Sequence, residues 1–376
     1  MWEDEQPAHP SGPCGVPMSL RQSQADNTHP GSEVRILLAH GSGGQLAHEL
    51  VDHVFIRHFG NPILAELSDA AIVGLSDLDP QSSVPATMLA FTTDSYVISP
   101  LFFPGGDIGK LAVSGTVNDL AVSGANPRYL SAGFIIEEGL PLDTLERVVR
   151  SMADTASTAG VQIVTGDTKV VNRGAADGLF ISTAGIGAVP AGRRLTPANL
   201  QPGDQILING TIGDHGAAVM MQREGLSFQS SLLSDCAPLN GLTAALLAAC
   251  PGAVRCMRDP TRGGLATILN EWTTAANVGI EIEDTAIPLR EQVRGLCEVL
   301  GLDPLYVANE GKVVAALSPA SAEMALAALR GHPLGEHAAI IGCVTAAHPG
   351  RVALRTSLGV HRILQVLVGE QLPRIC

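Results

Sequence analysis

Residues 86–127 read ATMLAFTTDSYVISPLFFPGGDIGKLAVSGTVNDLAVSGANP. An apolar run opens this stretch as a strand. Thr92, Thr93 and Asp94 then predict a polar turn, and a second strand follows. Gly105 and Gly106 break the chain. From Asp107 to Ala125 the residues read as a helix so rich in Ala, Ser and Gly that it can pack closely against its neighbours.

The units on either side alternate in the same way. Upstream, VRILLAHGSGG (residues 34–44) is a short strand-like run ending in glycines. The next segment places Leu46, Leu50, Val51, Val54 and Phe55 at helical spacing. Downstream, Leu140–Ala159 is an amphipathic helix ended by Gly160, and VQIVTGDTKVV is a strand that breaks into a polar turn. A linker from residue 195 leads into GTIGDHG, where strand, glycine turn and helix repeat. DPTRGGLATILNEW opens another helix at a glycine turn, and residues 351–370 read as strands. The final residues, Gly369 to Cys376, form a tail able to reach on the order of 24 Å.

At 376 residues the chain exceeds what one core usually supports. The expected division is an N-terminal disordered extension over 1–33, a first domain over 34–195, a second α/β domain over 196–350, and a C-terminal segment with a mobile tail over 351–376. Apolar residues make up 45% and aromatics 3%, a mixture that suits tightly packed α/β layers. The net charge is −14 with no basic run, which argues against nucleic acid or an anionic membrane as the main partner. No C-x-x-C pair occurs, so the seven cysteines suggest neither a disulfide framework nor a zinc site. The acidic, proline-bearing start is unlike a secretory signal, and the expected location is the cytoplasm.

With few lysines, a phosphate-handling protein must use backbone amides and metal ions. HGSGG offers Gly41, Ser42, Gly43 and Gly44 between a strand and a helix N-terminus, where glycine lets the backbone approach a phosphate. No Lys-Ser or Lys-Thr follows, so it is not a P-loop. Asp69, Asp94, Asp119, Asp167 and Asp259 stand beside strand ends or helix starts. Singly, each reads as a turn or helix cap. Together they supply the hard oxygens that Mg²⁺ requires. Glu310 and Lys312 share another turn. His48 and His53, five residues apart, project from different helix faces and do not form a zinc pair.

In this order the motifs HGSGG, TTDSYVISPLFFPGGDIGKLAVSGTVNDLAVSGANP, VTGDTKVV, GTIGDHG, DPTRGG, NEGK and the terminal PRIC resemble the HypE family of hydrogenase maturation proteins, which are carbamoyl dehydratases. The resemblance runs from about residue 35 to 376. It implies the two-domain PurM-like ATP-binding α/β (α+β) fold shared with aminoimidazole ribonucleotide synthetase and selenophosphate synthetase. A homodimer through the N-terminal sheets is also implied. The reaction implied is ATP- and Mg²⁺-dependent dehydration of an S-carbamoyl group on the C-terminal cysteine to S-cyanate. The partners implied are the carbamoyltransferase HypF and the HypC–HypD iron scaffold, with the cyanide destined for [NiFe] hydrogenase. By motif, Cys376 is the carbamoyl acceptor, Glu310 the base and Lys169 its assistant. Asp94, Asp119, Asp259 and, on a poorer match, Asp69 are metal ligands. Gly41, Ser42, Gly43, Gly44, Asp94, Asn118, Asp119, Asp167 and Thr168 hold the nucleotide, and Arg374 steadies the tail. Ser114 stands where relatives often carry cysteine. Selenophosphate synthesis lacks its cysteine near the glycine loop, since Cys14 is far upstream. A thiol carrier without ATP chemistry is the non-enzymatic alternative.

Overall fold

The computed structural model describes residues 35–41, 43–74, 88–225, 232–367, 372 and 374–376. The expected extension over 1–33 and Ser42 lie outside the described residues. Residues 35–37 end a leading unit and carry no regular structure, while Leu38–Cys376 form a single unit.

Among the described residues that second unit contains fourteen strands: β1 Ala71–Gly74, β2 Met88–Tyr96, β3 Phe102–Phe103, β4 Gly106–Asp107, β5 Asn126–Glu137, β6 Gln162–Val171, β7 Leu179–Val189, β8 Gln205–Ile208, β9 Val254–Arg258, β10 Gly279–Glu283, β11 Val314–Leu317, β12 Ala339–Thr345, β13 Val352–Arg355 and β14 His361–Leu364. The first sheet has the order β1-β2-β7-β5-β6 and the second β14-β13-β10-β12-β8-β11-β9, with β3 and β4 pairing apart. In the first sheet only β5 and β6 run parallel, joined by the crossover helix Leu142–Ala159. β13 pairs with β10, and β14 with β13, so residues 352–364 belong to the second sheet and not to a separate C-terminal segment.

The small-residue helix spans Ile108–Val122. Asp107 caps it, accepting from the Gly109 and Lys110 N–H groups at 2.7 and 3.1 Å. Only Lys110 and Asp119 within it escape burial. One flank packs Leu111, Val113 and Val117 among Tyr96 and Ile181 of the sheet and Val148 and Met152 of the crossover helix. At its far end Val122 joins Leu239, Leu242 and Leu246 of the second domain. Small residues are what allow this. A Cβ on Gly115 would sit 2.3 Å from the Tyr96 hydroxyl.

Three local expectations change. Thr92–Asp94 is no turn, because β2 pairs with β7 at every residue from Met88 to Tyr96. Likewise β6 runs unbroken through Asp167, Thr168 and Lys169, which pair with Gly133, Phe134 and Ile135 of β5. A continuous ladder satisfies the backbone of polar residues as well as it does apolar ones. Finally, Leu38–Gly41 forms a 3-10 turn, since no described strand lies alongside to pair with it.

Gly115→Val should therefore cost about 1–3 kcal/mol through overpacking and lower the melting temperature. Gly295→Ala, in the open middle of the helix Glu291–Leu300, should raise it slightly. Equal melting shifts for the two would contradict the close approach at Tyr96.

Candidate active site

The first sheet's β1–β2 edge meets the second domain at a group of carboxylates. Asp69 lies in the turn before β1, Asp94 within β2, Asp119 near the end of the small-residue helix, and Asp259 just past β9. Ligand oxygens of Asp69, Asp119 and Asp259 all lie within 4.8 Å of one another. Asp94 lies beside them, near enough for its charge to raise the pKa values of Asp119 and Asp259, and the Tyr96 hydroxyl donates to Asp94 at 3.0 Å. Thr92 bridges the set, its hydroxyl 2.8 Å from both the Asp69 carbonyl and Asp119 Oδ2.

Crowding acids in a buried place favours their protonated forms. Burial, reinforced by Asp94 and Asp259, holds Asp119 well above the usual carboxylate range. Burial and then Asp69 push Asp259 up to about 8. For Asp69 burial is opposed by Arg258, and the value rises only to about 6. The Arg258 Nε–Asp69 contact is 2.7 Å, and Arg258 also meets Glu271 at 3.3 Å. Glu271 in turn holds His48 at 3.1 Å, which draws the leading helix Gln45–Leu50 onto the second domain.

Arg262 completes the setting. Its Nη1 donates to the Gly41 carbonyl at 3.3 Å. Gly43 lies so close that a Cβ there would be 3.1 Å from Arg262 Cβ, in a backbone conformation (φ +74°) that itself favours glycine. The negative charge of Cys376 is the largest influence raising the Arg262 pKa, followed among the raising influences by Asp94 and Glu310. The glycine loop, the acids and the end of the chain therefore converge on one guanidinium.

Glu310 is 3% exposed, and its Oε1 has no hydrogen-bond partner. Burial first, then Asp259, Asp235 and Asp94, raise its pKa well above the ordinary value. Its backbone is held firmly. Asp235 accepts from the Glu310 and Gly311 N–H groups, each at 3.2 Å, and from Lys312 Nζ at 2.9 Å. Burial alone would raise Asp235, but the Lys312 charge and the hydrogen bonds from Lys312 and the Glu310 N–H hold it below the usual range. Neighbouring Asn309 donates to the Pro260 carbonyl and accepts from the Gly213 N–H, tying the turn of DPTRGG to that of GTIGDHG.

The tail arrives here. Ile375 is buried, and Leu372 and Cys376 pack against the cluster containing Tyr96 and Phe103. The Val97 N–H donates to the Cys376 carbonyl at 3.1 Å. Arg374 donates to the Val97 carbonyl and pairs with Asp177. A tail read as mobile is thus seen docked.

The expected residues do not all meet. Asp69, Asp94, Asp119 and Asp259 cluster, with Glu310, Cys376, Gly41 and Gly43 around them. Gly44 caps the helix Gln45–Leu50. The Asn118 amide is engaged elsewhere, accepting from the Leu239 N–H and donating to the Ala237 and Glu310 carbonyls. Asp167 and Lys169 pair at 2.7 Å in the open. They lie on β6, three strand spacings or about 14 Å from β2. They share the face of Ser95 and Ser182, opposite Asp94. Thr168 is exposed on the same strand. Arg258, Arg262, Asn309, Asp235 and His215 were not singled out by sequence reasoning. All but Asp235 lie inside or beside a motif, but only the fold shows what each faces.

Residues 67–189 match the family of AIR synthase related proteins, N-terminal domain, and residues 201–355 its C-terminal domain. Carbamoyl dehydratase HypE of Escherichia coli is 53% identical over 341 residues, covering 91% of this chain and 99% of that protein. The same-named protein of Rhodobacter capsulatus is 52% identical over 345 residues, covering 91% and 98%. The chain belongs to the HypE family of carbamoyl dehydratases. A crystal structure of the hydrogenase maturation protein HypE in complex with ATP shares 52% identity, with a TM-score of 0.74 and coverage of 91% of this chain and all of that one. HypE in a HypE–HypF complex shares 45%, with a TM-score of 0.78 and coverage of 85% and 99%. ThiL bound to AMPPCP and TMP, at 17% identity and a TM-score of 0.63, shares the fold alone.

The raised carboxylates give a pH prediction. Because their folded-state pKa values exceed the unfolded ones, their protonated forms stabilise the fold below about pH 4. That contribution is lost as pH rises through about 6 for Asp69 and about 8 for Asp259. A divalent cation that neutralises the cluster should therefore raise the melting temperature more at pH 8.5 than at pH 6. An equal gain at both would contradict cation binding by these acids.

Proposed function

We propose that this chain carries out ATP-dependent dehydration of an S-carbamoyl group on Cys376 to S-cyanate, supplying the cyanide ligand for a [NiFe] hydrogenase iron. The observation that carries this reading is the convergence of Cys376, the acid cluster and a buried Glu310, whose Oε1 has no hydrogen-bond partner, around Arg262. A thiol carrier would need none of those acids.

An amide oxygen is a poor leaving group. Transfer of the γ-phosphoryl group of ATP to the carbamoyl oxygen releases ADP and converts that oxygen into phosphate. Loss of both nitrogen protons then forms C≡N and expels phosphate. Glu310 is the proposed proton acceptor: burial raises its pKa, so its ionised form, once the neighbouring acids are neutralised, is a stronger base than an ordinary carboxylate. Asp69, Asp94, Asp119 and Asp259 are all-oxygen donors, a set that fits Mg²⁺. Bound there, the ion would offset charge on the phosphates. Gly41, Gly43 and Gly44 offer a backbone that can approach the nucleotide.

The outer face of the first sheet supports a homodimer. Phe91, Ile186 and Tyr129 sit side by side across three strands, 37–48% exposed, and Ile135 lies exposed on the same face further along β5. Asp167 and Lys169 share that face. Pairing two such faces would direct Asp167 and Lys169 toward the second copy, where they could serve its nucleotide and tail, while Thr168 alternates to the other face of β6. A HypE structure in complex with HypF supports that transferase as the partner that loads the cysteine. HypC and HypD are the proposed receivers, and the cytoplasm the proposed location. Among the described residues no helix is long and apolar enough to cross a membrane.

With a carbamoylated tail and MgATP, mass spectrometry of the C-terminal peptide should show ATP-dependent loss of water. Glu310→Gln should slow that loss by roughly 10²–10⁴-fold while ATP still binds. A carbamoyl group that persists in the unaltered protein would overturn the reading. Separately, Ile186→Asp should shift the protein from dimer to monomer in light scattering, and an unchanged mass would remove the sheet face as the interface.

A further inference from the structure

The docked tail is gripped through its peptide carbonyls, and the hydrogen bonds fix one histidine tautomer. The Ile375 carbonyl can only accept, so His215 Nε2, 2.8 Å away, carries the proton. His215 Nδ1 then accepts from the Ser234 hydroxyl at 2.8 Å, and that hydroxyl accepts from the Cys236 N–H at 3.1 Å. Each donor in this line has one acceptor. His215 has no exposed surface, and the Phe103 ring packs perpendicular to it with ring centres 5.3 Å apart. Burial lowers its pKa, which suits the neutral ring this pattern needs.

Arg223 stands at the other end of the helix Asp214–Arg223 that carries His215. It donates to the Arg374 carbonyl at 2.7 Å and to the Ser99 carbonyl at 2.8 Å. One helix thus holds two successive carbonyls of the tail, while Val97 and Ser99 on the first domain hold Cys376 and Arg374 from the opposite side. Ser234 is followed directly by Asp235, which accepts the Glu310 and Gly311 N–H groups. Two adjacent residues therefore bind the tail's anchor and the segment bearing Glu310.

We propose that His215 and Ser234, assisted by Arg223, form a latch that sets the register of Cys376 against Glu310 and the share of time the tail spends docked. These are positioning residues: none reaches the reacting atoms. What the latch serves rests on the dehydratase reading, but the latch itself does not.

The test measures iodoacetamide alkylation of Cys376 in the full chain without ATP or a carbamoyl group, with Cys343 as an internal reference thiol. His215→Leu keeps the bulk but cannot donate. It should speed Cys376 alkylation about fivefold, the loss expected for one hydrogen bond, with Cys343 and nucleotide affinity unchanged. His215→Gln, which can still donate to the Ile375 carbonyl, should recover most of the protection. Arg223→Met should raise the rate independently. In turnover, His215→Leu should lower kcat and leave the KM for ATP unaltered. Should His215→Leu fail to fold, Ser234→Ala carries the same prediction. Unchanged Cys376 alkylation, or an equal rise at Cys343, overturns the latch even if dehydration proceeds normally. Faster alkylation in a protein that never loses water from its tail would leave the latch standing and remove the dehydratase reading instead.

Discussion

Carboxylates from both domains are buried within reach of one another, and the rest of the site is arranged around that crowding. Asp69, Asp94 and Asp119 come from the first domain and Asp259 from the second. Left alone, such a group would hold protons or force the domains apart. Arg258 and Arg262 offset part of the charge, and Tyr96 and Thr92 donate into it. The glycines of the small-residue helix matter for the same reason, since Gly115 lets Tyr96 stand where it can reach Asp94. What remains uncompensated is a demand for positive charge. A divalent cation held by these oxygens would meet that demand and could in turn carry an anionic phosphate.

The same segments that hold the acids also hold the chain's end. Asn309 stitches the DPTRGG turn to GTIGDHG, Glu310 follows it, and His215 within GTIGDHG grips Ile375. Events at the carboxylates and the position of Cys376 are therefore linked through short, hydrogen-bonded connections. This arrangement holds the end of the chain, Arg374 to Cys376, in one place.

Much of this was legible in the sequence. The small-residue helix, the crossover helix closed by Gly160 and the glycine turns of both domains follow from periodicity and turn chemistry. The acids at strand and helix ends were visible as candidates, yet each alone read as a cap. Their convergence depends on β2 lying beside β7 and on Asp259 arriving from the other domain, which no local pattern encodes. Polar residues misled at Thr92–Asp94 and at Asp167–Lys169, where ladder pairing overrides turn propensity. Asp167 and Lys169 show a further limit: pattern placed them in a site that one copy of the sheet holds on its opposite face. The roles of Arg258, Arg262 and His215 are tertiary facts, set by what packs opposite each.

The central claim is that the carbamoyl oxygen leaves as phosphate. Preparing the Cys376 carbamoyl group with ¹⁸O and allowing a single turnover with MgATP tests this most directly. The label should appear as one ¹⁸O atom in the inorganic phosphate released. Unlabelled phosphate, with the isotope recovered in water, would contradict the account.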